Sequence, residues 1–301
     1  MTGERAWLID ASIYIFRAWF SMPDRWHSPE GRPVSAVYGY GSFLVDFIGR
    51  VGSRFDGAAA FDESLGSNFR NDIYADYKCS RELPDEDLAF QLEACRKLTE
   101  CLGFPCYGGS RYEADDYIAS LARRFQSRGV PVTIVTRDKD LGQILAGPGD
   151  CWWDFAADEE LDSAAFTGRF GVTPEQFGDY LALVGDPVDD IPGVPGVGAK
   201  TAEALLNAFG DLGRLGKSLQ EVSGLPIRGA LRVAERLEAN WEQVLISRQL
   251  TALESRIPRL GPSPRFQLRI DAVTQSVEYL AELGLTGPLS KRLRALGEAL
   301  H

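Results

Sequence analysis

The sequence predicts an α/β fold, with a central and mainly parallel sheet followed by a helical region. Three short apolar runs have the composition of buried strands, and each is followed by an acid. These are residues 6–9 before Asp10, residues 57–61 before Asp62, and residues 132–135 before Asp138. Helical patterns around 34–50, 86–102 and 113–128 lie between the strands. Alternating strands and helices are typical of a parallel sheet covered by helices.

Three regions follow one another along the chain. The strand signal ends at about residue 172, where helical segments separated by Gly and Pro begin. We therefore expect an α/β core over 1–171, a helical region over 172–260 and a C-terminal helical extension over 261–301. The extension follows a proline-broken linker and contains two amphipathic stretches.

The composition is that of a globular chain with an excess of acids. Its 301 residues are 45% apolar and carry a formal net charge of −11. No apolar run reaches the roughly 18 residues of a membrane span, and no signal peptide is recognisable, which predicts a cytoplasmic protein. The five cysteines lack paired metal-site spacing and are expected to be reduced. The only histidines, His27 and His301, leave little from which to build a histidine triad or a multi-histidine zinc site.

Several acids stand where this fold could bring them together. Parallel sheets bind ligands beyond the carboxyl ends of their strands, where Asp10, Asp62 and Asp138 would emerge. Taken singly, acids at such places are more simply explained as helix caps, first-turn acids or turn residues. Taken together, they favour a site for hard divalent cations such as Mg²⁺, which prefer carboxylate oxygens and would relieve their mutual repulsion. Two such ions could clamp a phosphodiester without any histidine.

Six separated motifs agree in order and spacing with one known family. They read Leu8-Ile9-Asp10, Phe61-Asp62, Tyr77-Lys78-x-x-Arg81, Glu113-Ala-Asp-Asp116, Asp138-Lys-Asp140, and Gly185-Asp186-x-x-Asp189 leading into Ile191 to Thr201. This set resembles the bacterial 5′ nuclease family, which includes the 5′ to 3′ exonuclease domain of DNA polymerase I and related flap endonucleases. The resemblance covers residues 5 to 260 and implies a free-standing member with a PIN-like core, a helical arch near 77–102, and a helix-hairpin-helix (helix-three-turn-helix) region.

The resemblance implies a structure-specific 5′ to 3′ exonuclease or flap endonuclease that uses two or more divalent ions, Mg²⁺ or alternatively Mn²⁺. Its partner would be DNA with 5′ ends, flaps or single-strand/duplex junctions, with no membrane association, and the chain would act as a monomer. The implied metal ligands are Asp10, Asp62, Glu113, Asp115, Asp116, Asp138, Asp140, Asp186 and Asp189. On this basis Asp116→Ala should abolish cleavage and largely preserve the fold.

The resemblance also implies a set of phosphate and base contacts. Lys78 and Arg81 would grip the scissile phosphate, and Tyr77 would stack on a terminal base. Residues expected to bind DNA are Arg70, Gly193, Gly196, Gly198, Lys200 and Thr201. The glycines would let backbone N–H groups approach a phosphate, and K⁺ is expected at the hairpin. A nucleotide-binding P-loop is excluded because Ala199 stands where that motif needs its lysine.

Two other functions stay open at this point. One is a DNA-structure binding protein that does not cut, and the other is an acid-cluster phosphatase or RNase on a similar sheet. The chain also departs from the family pattern by carrying more acids near the expected DNA path, at Glu63, Asp190 and residues 82–87. Arg137 could supply a compensating contact.

Overall fold

The computed structural model describes residues 5–64 and 66–299, so His301 lies outside the described residues. The strands are β1 (Ala6–Asp10), β2 (Arg54–Ala60), β3 (Cys106–Tyr107), β4 (Val132–Val135), β5 (Cys151–Asp154), β6 (Glu159–Leu161) and β7 (Arg265–Gln267). They form one sheet in the order β3-β2-β1-β4-β5-β6, with β7 also paired to β2. The pairs β3-β2, β2-β1, β1-β4 and β4-β5 are parallel, which confirms the predicted α/β fold with a mainly parallel sheet.

Twelve α-helices accompany the strands in the described part of the chain. They are α1 (Ala11–Ser21), α2 (Ser35–Val51), α3 (Glu86–Cys101), α4 (Ala114–Gln126), α5 (Ser163–Phe170), α6 (Phe177–Val184), α7 (Ala199–Phe209), α8 (Leu212–Leu215), α9 (Ala230–Ala239), α10 (Trp241–Thr251), α11 (Ile270–Glu282) and α12 (Pro288–Glu298). Short 3₁₀ helices lie at Lys139–Ile144, Pro174–Gln176 and Leu219–Gly224. Among the described residues, no helix is both long and apolar enough to cross a bilayer.

The sheet is covered on both faces because side chains alternate along its central strands. Ile9 and Val135 pack into one apolar cluster with α1, α2, α3, α11 and α12. Leu8 and Ile134 point the other way and pack with α4. Burial on both sides explains why these strands read as continuous apolar runs in the sequence.

The region boundaries are less sharp in the structure than in the sequence. The helical region has its own apolar core, but Trp152 and Phe166 from the N-terminal region belong to that core as well. The C-terminal extension was expected to be helical only, and this was incomplete. Its strand β7 pairs antiparallel with β2, while Leu280 and Leu289 pack into the core of the α/β region. A strand of three residues is too short to show a clear period in the sequence.

The expected helical arch is corrected by the structure. Helix α3 lies where a helix was predicted, but it buries Ala94, Cys95 and Leu98 in the core that it shares with α2 and α11. The segment that lines the cleft beside Asp62 and Glu113 is the turn-rich stretch before this helix, over residues 66–85. The helical pattern predicted the position of α3 correctly, whereas its role as the arch was implied only by the resemblance to the family.

We predict that Gly142→Ala destabilises the junction between the two cores. A Cβ at Gly142 would lie 2.0 Å from a ring carbon of Phe166, and that ring is buried, so the extra methyl group cannot be accommodated without a shift. Overpacking of this kind costs about 1–3 kcal/mol. Denaturant unfolding measures the effect. In the control Gly168→Ala, the Cβ meets open space on α5, and the stability should rise by up to about 1 kcal/mol. An unchanged unfolding midpoint for Gly142→Ala would contradict the packing described here.

Candidate active site

Eight of the nine acids implied by the resemblance line one cleft of 310 Å³. They are Asp10, Asp62, Glu113, Asp115, Asp138, Asp140, Asp186 and Asp189. The strand order explains the convergence, because β1 lies between β2 and β4 and all three present their carboxyl ends to the same edge. The loop after α6 brings the last two acids to the same place. The structure therefore gathers residues that are up to 179 positions apart in the sequence, from Asp10 to Asp189.

Several of these carboxylates also hold the local backbone. Asp10 accepts hydrogen bonds from the Ile13 N–H at 3.3 Å and from the Thr136 hydroxyl at 2.8 Å. Asp138 accepts the N–H of Asp140, and Asp186 accepts the N–H of Val188. The same side chains therefore both cap the local backbone and line the cleft. The two interpretations drawn from the sequence, helix cap or turn acid and metal ligand, do not exclude each other.

Burial and mutual repulsion disfavour the ionised forms of the acids. Burial is the main reason that the pKa of Asp10 is raised to about 7, and the nearby Asp138 adds to it. Burial and Asp138 likewise raise the pKa of Asp140 to about 7. The pKa of Asp115 is raised well above its ordinary value by burial and then by Asp138 and Asp10. A cluster of this kind favours any cation that can enter it.

Three basic side chains, Lys78, Arg81 and Lys139, line the same cleft. Lys78 Nζ lies 2.7 Å from Glu113 Oε1 and 3.6 Å from Asp189 Oδ2. Burial alone would raise the pKa of Glu113, but Lys78 and Arg70 outweigh it and lower that pKa. Arg81 pairs with Asp189 on the outer side. The predicted residues Lys78 and Arg81 are therefore placed beside the acids that a phosphate would have to approach.

Lys139 is a cleft residue that the sequence reasoning did not select. Its Nζ lies 3.1 Å from Asp140 Oδ1 and 3.7 Å from Asp186 Oδ2, so it joins acids from the N-terminal and helical regions. Its position between two candidate ligands in the Asp138-Lys139-Asp140 motif was the signal available in the sequence.

The donor set fits hard divalent cations. Every cleft acid offers carboxylate oxygens, and Asp115 accepts no hydrogen bond from the described residues. Within the described ranges, no three Asp, Glu, His or Cys side chains are already arranged to hold one ion by themselves. Mg²⁺ commonly binds through one or two carboxylates and completes its shell with waters and phosphate oxygens. An open acidic cleft matches that mode better than a closed protein cage.

Asp116 and Arg70 are corrected by the structure. Asp116 is fully buried and forms a two-pronged pair with Arg70, with both N···O distances at 2.8 Å. It also accepts the N–H groups of Glu113 and Glu254, so its oxygens are fully engaged away from the cleft. Arg70 is buried and also donates to the carbonyls of Leu250 and Ala252. Asp116, expected to bind metal, and Arg70, expected to bind DNA, instead form a buried ion pair that connects the two regions.

Tyr77 is also placed differently from the expectation. It is buried, and its hydroxyl donates to Glu113 Oε2 at 3.1 Å, so its ring has no face free to stack on a base. Asn68, which the sequence reasoning missed, donates to Glu113 Oε1 at 2.7 Å. Together with Lys78, these two residues fix the orientation of Glu113. A buried asparagine before a turn carries no distinctive sequence signal.

The helix-hairpin-helix is formed by α6, the segment 185–198 and α7. Val194 and Val197 anchor the hairpin in the core, while Gly196, Gly198 and Lys200 are exposed. Gly196 has a φ of +76°, which favours glycine there. Gly193 serves packing, because a Cβ there would lie 2.1 Å from the carbonyl oxygen of Val184. Thr201 lies in the first turn of α7 and is half-buried.

Two of the acidic departures from the family pattern have partners within the chain. Glu63 pairs with Arg96, and Asp190 accepts hydrogen bonds from the backbone and hydroxyl of Ser80, both at 2.8 Å. Arg137 pairs with Asp154 at 3.0 Å instead of facing the cleft. The five cysteines are unpaired, as expected.

Comparison with known proteins agrees with this geometry. A family model described as 5′-3′ exonuclease, N-terminal resolvase-like domain, matches residues 5–171, and one described as 5′-3′ exonuclease, C-terminal SAM fold, matches residues 172–269. The chain belongs to the 5′-3′ exonuclease family. The two models meet where the sequence analysis divided the α/β core from the helical region, and they confirm the family that the motifs indicated.

Individual members of the 5′-3′ exonuclease family are moderately similar in sequence. DNA polymerase I of Pseudomonas aeruginosa is 39% identical over 252 residues, which are 83% of this chain and 27% of that protein. The chain thus spans about a quarter of the length of such polymerase relatives. A protein named 5′-3′ exonuclease from Buchnera aphidicola is 30% identical over 83% of this chain and 86% of its own length.

Solved structures of low sequence identity share the fold. A structure described as zinc ions bound to T5 5′-exonuclease superposes with a TM-score of 0.65 at 19% identity, over 99% of this chain and 100% of the other. A second structure, described as a bacteriophage T5 flap endonuclease complex with DNA and metal ions, gives a TM-score of 0.64 at 18% identity and covers 98% and 100% of the two chains.

We predict that Asp116→Asn weakens the fold. The substitution removes the paired carboxylate from the buried Arg70 and leaves it only Glu113 at 3.5 Å, and breaking a buried pair costs about 3–5 kcal/mol. This replaces the expectation, drawn from the resemblance alone, that changing Asp116 spares the fold. The matched control is Asp72→Asn, which breaks the exposed Arg111 pair and should cost under about 1 kcal/mol. Equal unfolding free energies for the two variants would show that the Arg70 pair is not structural.

We predict a pH-dependent stability in EDTA that Asp140→Asn reduces. Because the folded pKa of Asp140 is raised from 3.8 to about 7, the folded state binds its proton more tightly, and stability falls as pH rises from about 4 through 7. The free energy of unfolding of the variant should therefore be about 2 kcal/mol higher than that of the parent chain at pH 8, and the two should be equal near pH 4. The difference at pH 8 is smaller than the full pKa shift would give, because neighbouring acids titrate together. Thermal unfolding across this range gives the readout. Glu278→Gln, at an exposed acid of α11, should leave the profile unchanged.

Proposed function

We propose that this chain is a structure-specific 5′ nuclease that hydrolyses DNA phosphodiesters in the acidic cleft with bound divalent ions, in the first place Mg²⁺. The observation that carries the proposal is the convergence of eight acids with Lys78 and Arg81 in one cleft of a 5′-3′ exonuclease fold. The printed descriptions of the relatives support it, since one is named an exonuclease and the T5 structures contain metal ions and DNA.

In the proposed mechanism, the acids of the cleft bind the ions and its basic residues orient the phosphate. Asp10 at the end of β1 and Asp138 after the end of β4 line the cleft, and Asp115 lines it from the first turn of α4; their carboxylates would hold the ions with the other cleft acids. Bound divalent ions supply neutralisation of phosphate charge and make a water molecule easier to deprotonate. Lys78 and Arg81, now paired with Glu113 and Asp189, are in place to orient an entering phosphate.

The hairpin would hold the duplex part of the substrate. Exposed N–H groups at Gly196, Gly198 and the start of α7, together with Lys200, suit a backbone phosphate, and we include K⁺ at this hairpin in the proposal. Gly196 follows Asp189 by seven positions, so the acids and the hairpin lie within about 25 Å of each other. One short loop therefore couples the point of cleavage to the point of duplex binding. We propose that the enzyme acts as a monomer in the cytoplasm.

The decisive experiment is digestion of labelled 5′-flap and blunt duplex DNA with Mg²⁺ and with EDTA, reading product lengths. Short 5′ products that form only with Mg²⁺ support the proposal, and the ratio of mononucleotide to flap products assigns exonuclease or endonuclease character. DNA that is bound but never cut would instead identify a DNA-structure binding protein. Cleavage of RNA or a phosphomonoester in preference to DNA would identify the acid-cluster hydrolase.

We predict that Asp115→Asn lowers Mg²⁺-dependent cleavage by about 100-fold or more without lowering stability. Asp115 faces the cleft and accepts no hydrogen bond from the described residues, so an amide of the same shape removes only charge. Substitution of the neighbouring Asp116 by Asn is expected, in contrast, to lower the stability of the fold. The control is Glu298→Gln, an equal charge change at an exposed end of α12. Full activity of Asp115→Asn would remove Asp115 from the proposed ligands.

A further inference from the structure

Two loop segments from different regions of the chain are joined beside the acidic cleft. Lys78 donates its backbone N–H to the carbonyl oxygen of Asp189 at 3.0 Å. Ser80 donates both its backbone N–H and its hydroxyl to the same carboxylate oxygen of Asp190, each at 2.8 Å. We refer to these last two hydrogen bonds as the Ser80–Asp190 contact. They connect the segment that carries basic residues of the cleft to the loop after α6.

Both segments adopt a backbone conformation that residues with a Cβ rarely take. The φ angle is +55° at Lys78 and +54° at Asp190, which places both residues in the left-handed region. Such conformations persist only where the surrounding structure fixes them, and they are frequent at functional sites. Here the hydrogen bonds between the two segments fix them, because they engage the N–H of Lys78 and the carboxylate of Asp190.

The other contacts between the segments use acids of the cleft itself. Lys78 and Arg81 form ion pairs with Glu113 and Asp189, and both acids line the cleft and belong to the proposed ion ligands. Divalent ions and a phosphate would therefore compete with these ion pairs. Asp190 lies outside the set of described residues that line the cleft, so its contact with Ser80 does not depend on what the cleft holds.

The stability of the fold does not account for the Ser80–Asp190 contact. Ser80 is exposed and Asp190 is half-buried, so water can replace the hydrogen bonds between them, and such bonds contribute little to folding. The carboxylate of Asp190 also adds negative charge beside a cleft that is proposed to receive a polyanion, which opposes binding. An acid at this place therefore calls for a role in the reaction.

We propose that the Ser80–Asp190 contact positions Lys78 and Arg81 for the scissile phosphate. This inference rests on the proposed function, because it takes the phosphodiester as the substrate. Asp190 is a positioning residue, since it acts through the segment 78–81 and not on the substrate. The contact would hold the backbone of this segment while the two cations exchange their acidic partners for phosphate oxygens. A displacement of about 1 Å is enough to weaken transition-state stabilisation severely.

The test compares Asp190→Ala and Asp190→Asn with the parent chain on labelled 5′-flap DNA in Mg²⁺. We expect Asp190→Ala to lower kcat about tenfold and to change KM less than about twofold, because misplaced cations weaken transition-state stabilisation more than ground-state binding. Asp190→Asn keeps an oxygen that accepts both Ser80 donors, and its kcat should stay within about threefold of the parent value. Both variants remove the same charge. Equal losses in the two, or an unchanged kcat in Asp190→Ala, would overturn the proposal.

Ser80→Ala supplies an independent variant at the other end of the contact. It removes the hydroxyl donor and keeps the N–H donor, so its loss of kcat should be smaller than that of Asp190→Ala. In the Asp190→Ala background it should cause no further loss, because the acceptor is already absent. Losses that multiply in the double variant would contradict a shared role. The control Asp72→Ala removes an exposed acid that pairs with Arg111 and should leave kcat and KM unchanged.

Hydrogen exchange in EDTA, without DNA, gives a readout that does not depend on cleavage. The amides of Lys78 and Ser80 should exchange faster in Asp190→Ala than in the parent chain and in Asp190→Asn, while the unfolding midpoints stay equal. Unchanged exchange in Asp190→Ala would show that the contact does not hold the segment 78–81 and would overturn the proposal. A parent chain that does not cut DNA in Mg²⁺ would refute the proposed function and this inference with it. A parent chain that cuts, with full kcat in Asp190→Ala, would refute this inference alone.

Discussion

The repulsion among acids buried at the carboxyl edge of the sheet is the constraint on which the rest of the structure depends. The order β2-β1-β4 forces Asp10, Asp62 and Asp138 to one edge, and burial raises the pKa of Asp10 to about 7. Such an edge is unfavourable unless cations share it. Lys78 and Lys139 supply part of the positive charge. The negative charge that they do not neutralise is the driving force for binding divalent ions.

The start of α4 shows how the fold separates chemistry from support within four residues. Glu113 and Asp115 line the cleft, whereas Asp116 is buried under it and paired with Arg70. Arg70 also bonds the carbonyls that end α10, so the same residue fixes the start of α4 and the return of the helical region. A stable cluster of like charges needs a rigid frame, and this buried pair is part of that frame.

The apolar runs of the sequence predicted the fold class and the main strands, and the acids that follow those strands predicted that Asp10, Asp62 and Asp138 would meet. The meeting of the other five cleft acids was implied by the resemblance to the 5′ nuclease family and not by a local pattern. The sequence did not separate Asp116 from Asp115, because adjacent positions on a helix differ only in which tertiary partner they meet. Tyr77 was misjudged for the same reason, since its ring is buried against Ile191 and Leu250, which lie more than 110 positions away in the sequence. Strand β7 was missed because pairing with β2, rather than its own period, makes it a strand.

The loop between α6 and α7 connects the acidic cleft to the hairpin. Asp186 and Asp189 belong to the acidic cleft, while Val194 and Val197, a few residues later, anchor the hairpin in the helical core. Because this loop closes with paired hydrogen bonds of 2.9 Å between the backbones of Asp186 and Ile191, the cleft and hairpin cannot move independently over that short distance. Under the proposed function, this short and hydrogen-bonded connection would set the distance from a duplex on the hairpin to a phosphate in the cleft, so the position of cleavage would depend on the fold more than on the DNA sequence.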